Sequence, residues 1–305
     1  MKKLLLSLAV VLAGCGGGGD GTSPTQPIVQ VFNSNLKPND LKLNCVNKSS
    51  MQRANGLYYE SDSQVDYSVS QDYYLNNSFW GIQMTENYAN FLNTAWSQCM
   101  GAGFSDKNTV VSKLTWDMGT NSSWNGGVKT SPFIDYGYNP QNKHNGTTFP
   151  KQIASIKSLQ VNWNIEIDKN DSIAHFMLDT WISSTATPNR ITDSSLVAEM
   201  MIVFDCWPNT AQWCNPTGEK VNIGGYDYIF RLENAPFPGN PRFITFDSLT
   251  PQLGKGGINL TLFLDFLKSR GVLNNTHYID DLEFGTEIIA GKGELRLNSY
   301  SVTVN

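Results

Sequence analysis

Three apolar stretches of this sequence carry carboxylates where a core strand would carry none. The stretch AEMMIVFD (198–205) holds Glu199 and Asp205, HFMLDTWIS (175–183) holds Asp179, and LEFGTEII (282–289) holds Glu283 and Glu287. Each has the length and the Met, Ile, Val, Phe and Trp content of a β-strand. Side chains alternate between the two faces of a strand, so the first stretch sorts into two sets. Ala198, Met200, Ile202 and Phe204 form one; Glu199, Met201, Val203 and Asp205 form the other. The first set is wholly apolar and predicts a core face. The second cannot be fully buried without partners for its acids. In the second stretch Asp179 shares a face with His175, Met177 and Trp181; in the third, Glu283 and Glu287 share one with Gly285 and Ile289. Acids beside an aromatic ring, a methionine or a glycine suit a cleft that holds sugar. Rings stack on pyranose faces, glycine leaves room, and two carboxylates supply nucleophilic and acid/base chemistry. Each acid taken singly fits a solvated face as well, and periodicity alone does not separate the two.

The elements that must position these acids are strands almost throughout. SLQVNWNIEI (158–167) points Leu159, Val161, Trp163, Ile165 and Ile167 one way and Gln160, Asn162, Asn164 and Glu166 the other. Further strand-like runs are separated by NG, GG, PGNP and KGG turn signals. One segment differs: INLTLFLDFLKSRG (258–271) has apolar residues at helical spacing and Gly271 placed to end a helix. The pattern predicts an all-β fold, a sandwich of two antiparallel sheets with one helix, at about 258–271, packed on it. No second domain and no internal repeat is visible.

Composition narrows the partners. Only 16% of the 305 residues are charged, the net charge is −5, and no basic cluster follows the first three residues, which argues against nucleic acid and for a neutral ligand. The three histidines (His144, His175, His277) are scattered and the cysteine spacings do not make a zinc site, so neither metal nor cofactor is expected. A monomer is the default.

The N-terminus reads as a targeting segment. MKK is a positive n-region, and LLLSLAVVLAG is an apolar run shorter than the ~20 residues of a membrane-spanning helix. Leu12-Ala13-Gly14-Cys15 resembles the bacterial lipobox, which implies cleavage before Cys15 and lipidation of that residue. The expected organisation is a signal peptide at 1–14, a flexible Gly/Ser/Thr/Pro-rich tether at 15–40, and one folded domain at 41–305. Gly16 in place of Asp points to the outer membrane within the cell envelope; an ordinary secretory signal is the alternative. With Cys15 lipidated, Cys45, Cys99, Cys206 and Cys214 remain, an even number for an oxidising compartment. Three pairings are possible. The short separation of Cys206 and Cys214 suits a loop staple, and Cys45–Cys99 would follow.

The ordered set of motifs resembles glycoside hydrolase family 12, the small jelly-roll endoglucanases and xyloglucanases. AEMMIV is similar to the family's nucleophile strand, and FGTE followed by GELRLNSYSVTV to its acid/base and closing strands. KVNIGG, FITFDS and FLDFLKSRG lie between in the family's order. Before them, NNSFWG (76–81) and SSWNGGVKTSP (122–132) resemble two of its early motifs, and Cys45 and Cys99 bracket the first strands as an N-terminal disulfide does in many members. The resemblance spans roughly residues 41–305 and implies a β-jelly roll. It also implies that Glu199 is the nucleophile of a retaining reaction, Glu287 the acid and then the base, and Asp179 a hydrogen-bonding partner of the nucleophile. Asn77, Trp80 and Met201 are implied to bind glucan, and Trp124 and Trp181 are further candidates for the cleft.

Two positions depart from the family pattern. Val203 stands where tryptophan is frequent four residues after the nucleophile, and Ile288 where proline follows the acid/base. Trp207 or Trp213 could supply the missing ring. The expected activity is hydrolysis of internal β-1,4 bonds in cellulose-type or mixed-linkage β-glucan. The alternatives are a xyloglucan-specific endo-β-1,4-glucanase and a non-catalytic surface glycan-binding lipoprotein. The lipid bilayer is expected as a partner through the N-terminal anchor alone.

Overall fold

The computed structural model describes residues 33–47, 52–54, 57–59, 72–78, 96–119, 128–139, 144–145, 148–188, 194–208, 214, 216–235 and 240–305. The expected signal peptide, Cys15, the first part of the tether, Trp80, Trp124 and Trp213 lie outside these residues. In chain order the strands are β1 (Asn44–Asn47), β2 (Gln52–Ala54), β3 (Leu57–Tyr59), β4 (Tyr73–Ser78), β5 (Ser97–Asp106), β6 (Thr109–Asp117), β7 (Ser131–Asn139), β8 (His144–Asn145), β9 (Lys151–Gln152) and β10 (Leu159–Asp168). They continue with β11 (Ile173–Ser183), β12 (Leu196–Trp207), β13 (Glu219–Ile223), β14 (Tyr226–Asn234), β15 (Arg242–Ser248) and β16 (Gly254–Asn259). Helix α1 (Leu260–Ser269) then precedes β17 (Tyr278–Ile279), β18 (Asp281–Ala290) and β19 (Lys292–Val304).

Two sheets make the sandwich. The first runs β1-β5-β6-β19-β10-β16 and the second β13-β14-β15-β12-β11-β18-β7-β4, with β17, β9 and β8 paired beside it. Alternation explains the first sheet: along β10, Leu159, Val161, Trp163 and Ile165 are buried while Asn162 and Glu166 are exposed. Rings from the two sheets meet in the core. Phe284 of β18 stacks on Tyr300 of β19 at 4.5 Å, and Trp163 of β10 lies 4.6 Å from Phe204 of β12. Strands β11 and β12 are buried on nearly every residue, on both faces. The outer face of the second sheet at these strands is therefore largely withdrawn from solvent.

Not every strand pair is antiparallel. β15 runs parallel to β12, because the chain leaves β12, forms the β13–β14 hairpin at the sheet edge, and returns β15 into the gap between. The helix is shorter than expected, Leu260–Ser269, since residues 258–259 still belong to β16. Asn259 caps it by accepting from Thr261 N–H at 3.1 Å. Gly271, at φ +68°, ends it: its N–H bonds Lys268 O, and Val272 N–H bonds Leu267 O. Phe263 and Phe266 pack on Tyr228, Phe230 and Phe246, so α1 covers the inner face of β14 and β15.

Val31–Asn305 form one compact unit. The last residues of the expected tether lie on it: Asn33 N–H donates to Phe104 O at 3.1 Å, and Pro38 is buried. Cys45–Cys99 joins β1 to β5 across the sheet, and Cys206–Cys214 ties the end of β12 to the loop after it.

Candidate active site

The three acid-bearing strands are neighbours, with β11 in the middle. Their registers place Glu199 opposite Trp181, Asp179 between Met201 and Glu283, and His175 opposite both Cys206 and Glu287. Two carboxylates far apart in sequence thus reach one cleft on the outer face of the second sheet. It has a volume of about 380 Å³, and Glu199, Glu287, His175, Met201 and Val203 are among its lining residues. Glu287 is buried, at 8% exposure, whereas Glu199 is half-buried.

The electrostatics are those of a crowded acidic floor. His175 Nε2 stands 2.8 Å from Glu287 Oε2, with both side chains largely withdrawn from solvent. Burial, followed by the charges of Glu199, Glu283 and Glu287, holds the Asp179 carboxyl well above its ordinary range; the Thr180 N–H donated to Oδ1 at 2.8 Å opposes this only in part. A carboxyl that keeps its proton is a hydrogen-bond donor as well as an acceptor. Asp179 can therefore donate within a cluster of acids instead of adding a further charge to it. Glu283 is buried and faces Asp179 on one side and Asp135 on the other.

Several expected placements change. Asn77 points between the sheets, not into the cleft: it is 3% exposed and accepts from Gln98 Nε2 of the facing sheet, and Gln98 in turn accepts from Thr130. Tyr73 and Leu75 share that inward face of β4, so Asn76, paired with Phe133, takes the outward one. Asp205 leaves the row of Glu199 because β12 bulges between Val203 and Asp205; Cys206 packs beside Met177, Met201 and Val203 instead. Asp205 pairs with Lys169 at 2.5 Å. Trp207 is buried in the inter-sheet core and supplies no platform to the cleft; Ile288 also fills that core. Trp96 and Trp116, like Trp163, are core residues. Gly285 is required by a close approach of strands: a Cβ there would collide with the Pro132 carbonyl and Phe133 of β7. Met201 and Trp181 do stand beside Glu199, the first lining the cleft and the second paired across the strand.

Sequence reasoning missed His175, Phe243, Thr245, Asp247 and Arg231, all of which line the cleft. His175 had a signal, since it shares the face of Asp179 four residues away. The others sit on β14 and β15, whose place beside β12 depends on the parallel return of the chain.

A two-sheet jelly roll with paired carboxylates on the floor of an open-faced cleft has the form of a carbohydrate-cleaving hydrolase. The model for glycosyl hydrolase family 12 matches residues 71–305, and the chain belongs to that family. It is 26% identical over 254 residues to Endoglucanase S of Pectobacterium parmentieri, covering 80% of this chain and 86% of that protein. It is 24% identical over 279 residues to Xyloglucan-specific endo-beta-1,4-glucanase A of Emericella nidulans, covering 87% of this chain and 100% of that protein. Among solved structures, the native family 12 xyloglucanase from Bacillus licheniformis superposes with a TM-score of 0.61 at 20% identity, over 86% of this chain and 100% of the other. That last likeness shows the shared fold.

Proposed function

We propose that this family 12 hydrolase cleaves internal β-1,4 bonds of a glucan with retention of configuration. The observation that carries the reading is the convergence of Glu199 and Glu287 in one cleft, with Asp179 buried beneath. The names of the relatives, an endoglucanase and a xyloglucan-specific endo-beta-1,4-glucanase, support a β-1,4-linked glucan backbone as substrate.

In the proposed reaction Glu199 attacks the anomeric carbon while Glu287 gives its proton to the departing glycosidic oxygen. The C–O bond breaks and a glycosyl ester forms on Glu199. Glu287, now a carboxylate, takes a proton from water as that water attacks the same carbon, and Glu199 leaves as a carboxylate. Two inversions at one carbon give net retention. Asp179 keeps its proton and supplies a donor among the acids of the floor, holding the nucleophile in place. Trp181, beside Glu199, offers an aromatic face for the sugar. Cellulose-type and mixed-linkage glucans are the first substrates to test. Xyloglucan is the second reading, favoured by the relatives named for it. A purely glycan-binding role would leave two carboxylates buried or half-buried in a cleft with no chemistry to do.

The test assays wild type beside Glu199→Gln and Glu287→Gln on soluble β-1,4-glucan, mixed-linkage glucan and xyloglucan, reading new reducing ends. Wild type should release them and both variants should lose the activity by at least two orders of magnitude, roughly the range of acid/base catalysis. Activity surviving both changes would overturn the catalytic assignment. A wild type that retards in a glucan gel yet releases no ends would be a binder.

A further inference from the structure

One wall of the cleft is left unused by the two carboxylates. β15 and β14 lie beyond Glu199, on the side of β12 away from β11 and β18. Across this wall Glu199 pairs with Phe243 and then Glu233, and Met201 with Thr245 and then Arg231; Val203 pairs with Asp247. Arg231, Thr245 and Asp247 line the same cleft as Glu199 and Glu287. They are bonded to one another. Arg231 donates from Nε to Thr245 Oγ1 at 3.0 Å and from Nη2 to Asp247 Oδ2 at 3.4 Å, and Thr245 donates to that same Asp247 oxygen at 2.9 Å. The guanidinium is thus held by two acceptors on a side chain that is still 31% exposed, over an Asp247 only 13% exposed. A guanidinium has five N–H groups in a planar fork, so donors remain for a ligand. Burial keeps the Asp247 carboxyl above its ordinary range even with Arg231 beside it, as befits a partly desolvated wall.

Charge and distance say what fits there. Arg231 is offset by Asp247, and Glu199, Glu233 and Glu287 line the same space, so an anionic chain would be repelled. The hydroxyls of a neutral sugar can accept from the fork and donate to the carboxylate. Neighbouring strands stand about 4.8 Å apart, which puts β14 roughly 10 Å from β12. A glucan chain lying across these strands would therefore bring over Arg231 a sugar further along than the one Glu199 attacks. Because its partners already fix the fork, little conformational freedom is left to lose on binding.

We propose that Arg231, held by Thr245 and Asp247, is a specificity-determining residue that hydrogen-bonds the hydroxyls of a neutral sugar at a site remote from the cleaved bond. It makes the cleft favour chains long enough to reach β14. This rests on the glucanase reading above, and its test keeps the two apart. Wild type, Arg231→Met and Arg231→Lys are assayed on a chromogenic aryl β-cellobioside and on soluble mixed-linkage glucan. The ratio of kcat/KM for polymer to that for the short glycoside should fall about tenfold in Arg231→Met, or ~1.4 kcal/mol, chiefly through KM. Lysine should restore little of it, lacking the planar fork. Equal losses on both substrates, or an unchanged ratio, would overturn the proposal. Cellohexaose is also titrated calorimetrically into Glu199→Gln with and without Arg231→Met. About tenfold weaker binding is expected, and an unchanged Kd would overturn the proposal. If wild type hydrolyses neither substrate, the hydrolase reading fails while the titration still decides the role of Arg231.

Discussion

Replacing Asp179 by Asn should remove a pH dependence from the stability of the protein without opening a cavity. An aspartate in the unfolded chain ionises near 3.9. In the fold, burial and then the charges of Glu199, Glu283 and Glu287 keep the Asp179 proton on to well above that value. A group whose folded pKa is raised contributes stability that is fully present below the unfolded pKa and is lost as pH rises toward the folded one. While the folded form holds its proton and the unfolded form does not, the loss is about 1.4 kcal/mol per pH unit. Asparagine has nearly the same volume and no proton to release. Urea unfolding of wild type and Asp179→Asn, from about pH 4 to about pH 5.5, should therefore give slopes that differ by about 1.4 kcal/mol per pH unit, wild type falling faster. Equal slopes would mean that Asp179 ionises in the folded protein, and it could then not donate to the nucleophile.

Two further outcomes follow from particular contacts, and a third from the lipobox-like sequence before Cys15. Gly285→Ala drives a Cβ into the Pro132 carbonyl and Phe133; it should cost about 1–3 kcal/mol in denaturant unfolding and lower kcat by displacing Glu287 two residues on. Lys129 is buried and its ammonium is pushed down to about 8, so wild-type stability should rise between about pH 8 and pH 9.5, and Lys129→Met should lack that rise. Cys15→Ser should leave glucan hydrolysis intact while abolishing incorporation of labelled fatty acid, read by metabolic labelling of cells expressing the full chain.

Much of the architecture is legible in the sequence. Strict alternation separates core from solvent in β10 and core from cleft in β12 as far as Val203, and Gly271 marks the helix end because a left-handed residue is needed there. What failed did so at places where local pattern carries no tertiary information. Asn77 sits in a strand that is buried on nearly every residue, so burial gives no side, whereas its bond to Gln98 and the core packing of Tyr73 and Leu75 do. Asp205 changed sides at a bulge, which shifts parity by one residue without leaving a mark in the hydrophobic pattern. Arg231 and Asp247 joined the site because β15 returns parallel to β12, a pairing between strands separated by a whole hairpin. Gly285, read as room for sugar, serves the packing of β18 on β7 instead.

The central claim is that Glu199 becomes covalently glycosylated while Glu287 moves the proton. The most direct measurement incubates the protein with a 2-fluoro cellobioside bearing an activated leaving group, which slows release of the glycosyl-enzyme, and maps the adduct by peptide mass spectrometry. A single adduct of one cellobiosyl unit on the peptide bearing Glu199, absent in Glu199→Gln, is the predicted result. An adduct on another carboxylate, or turnover of the natural glucan with inverted configuration and no adduct, would contradict it.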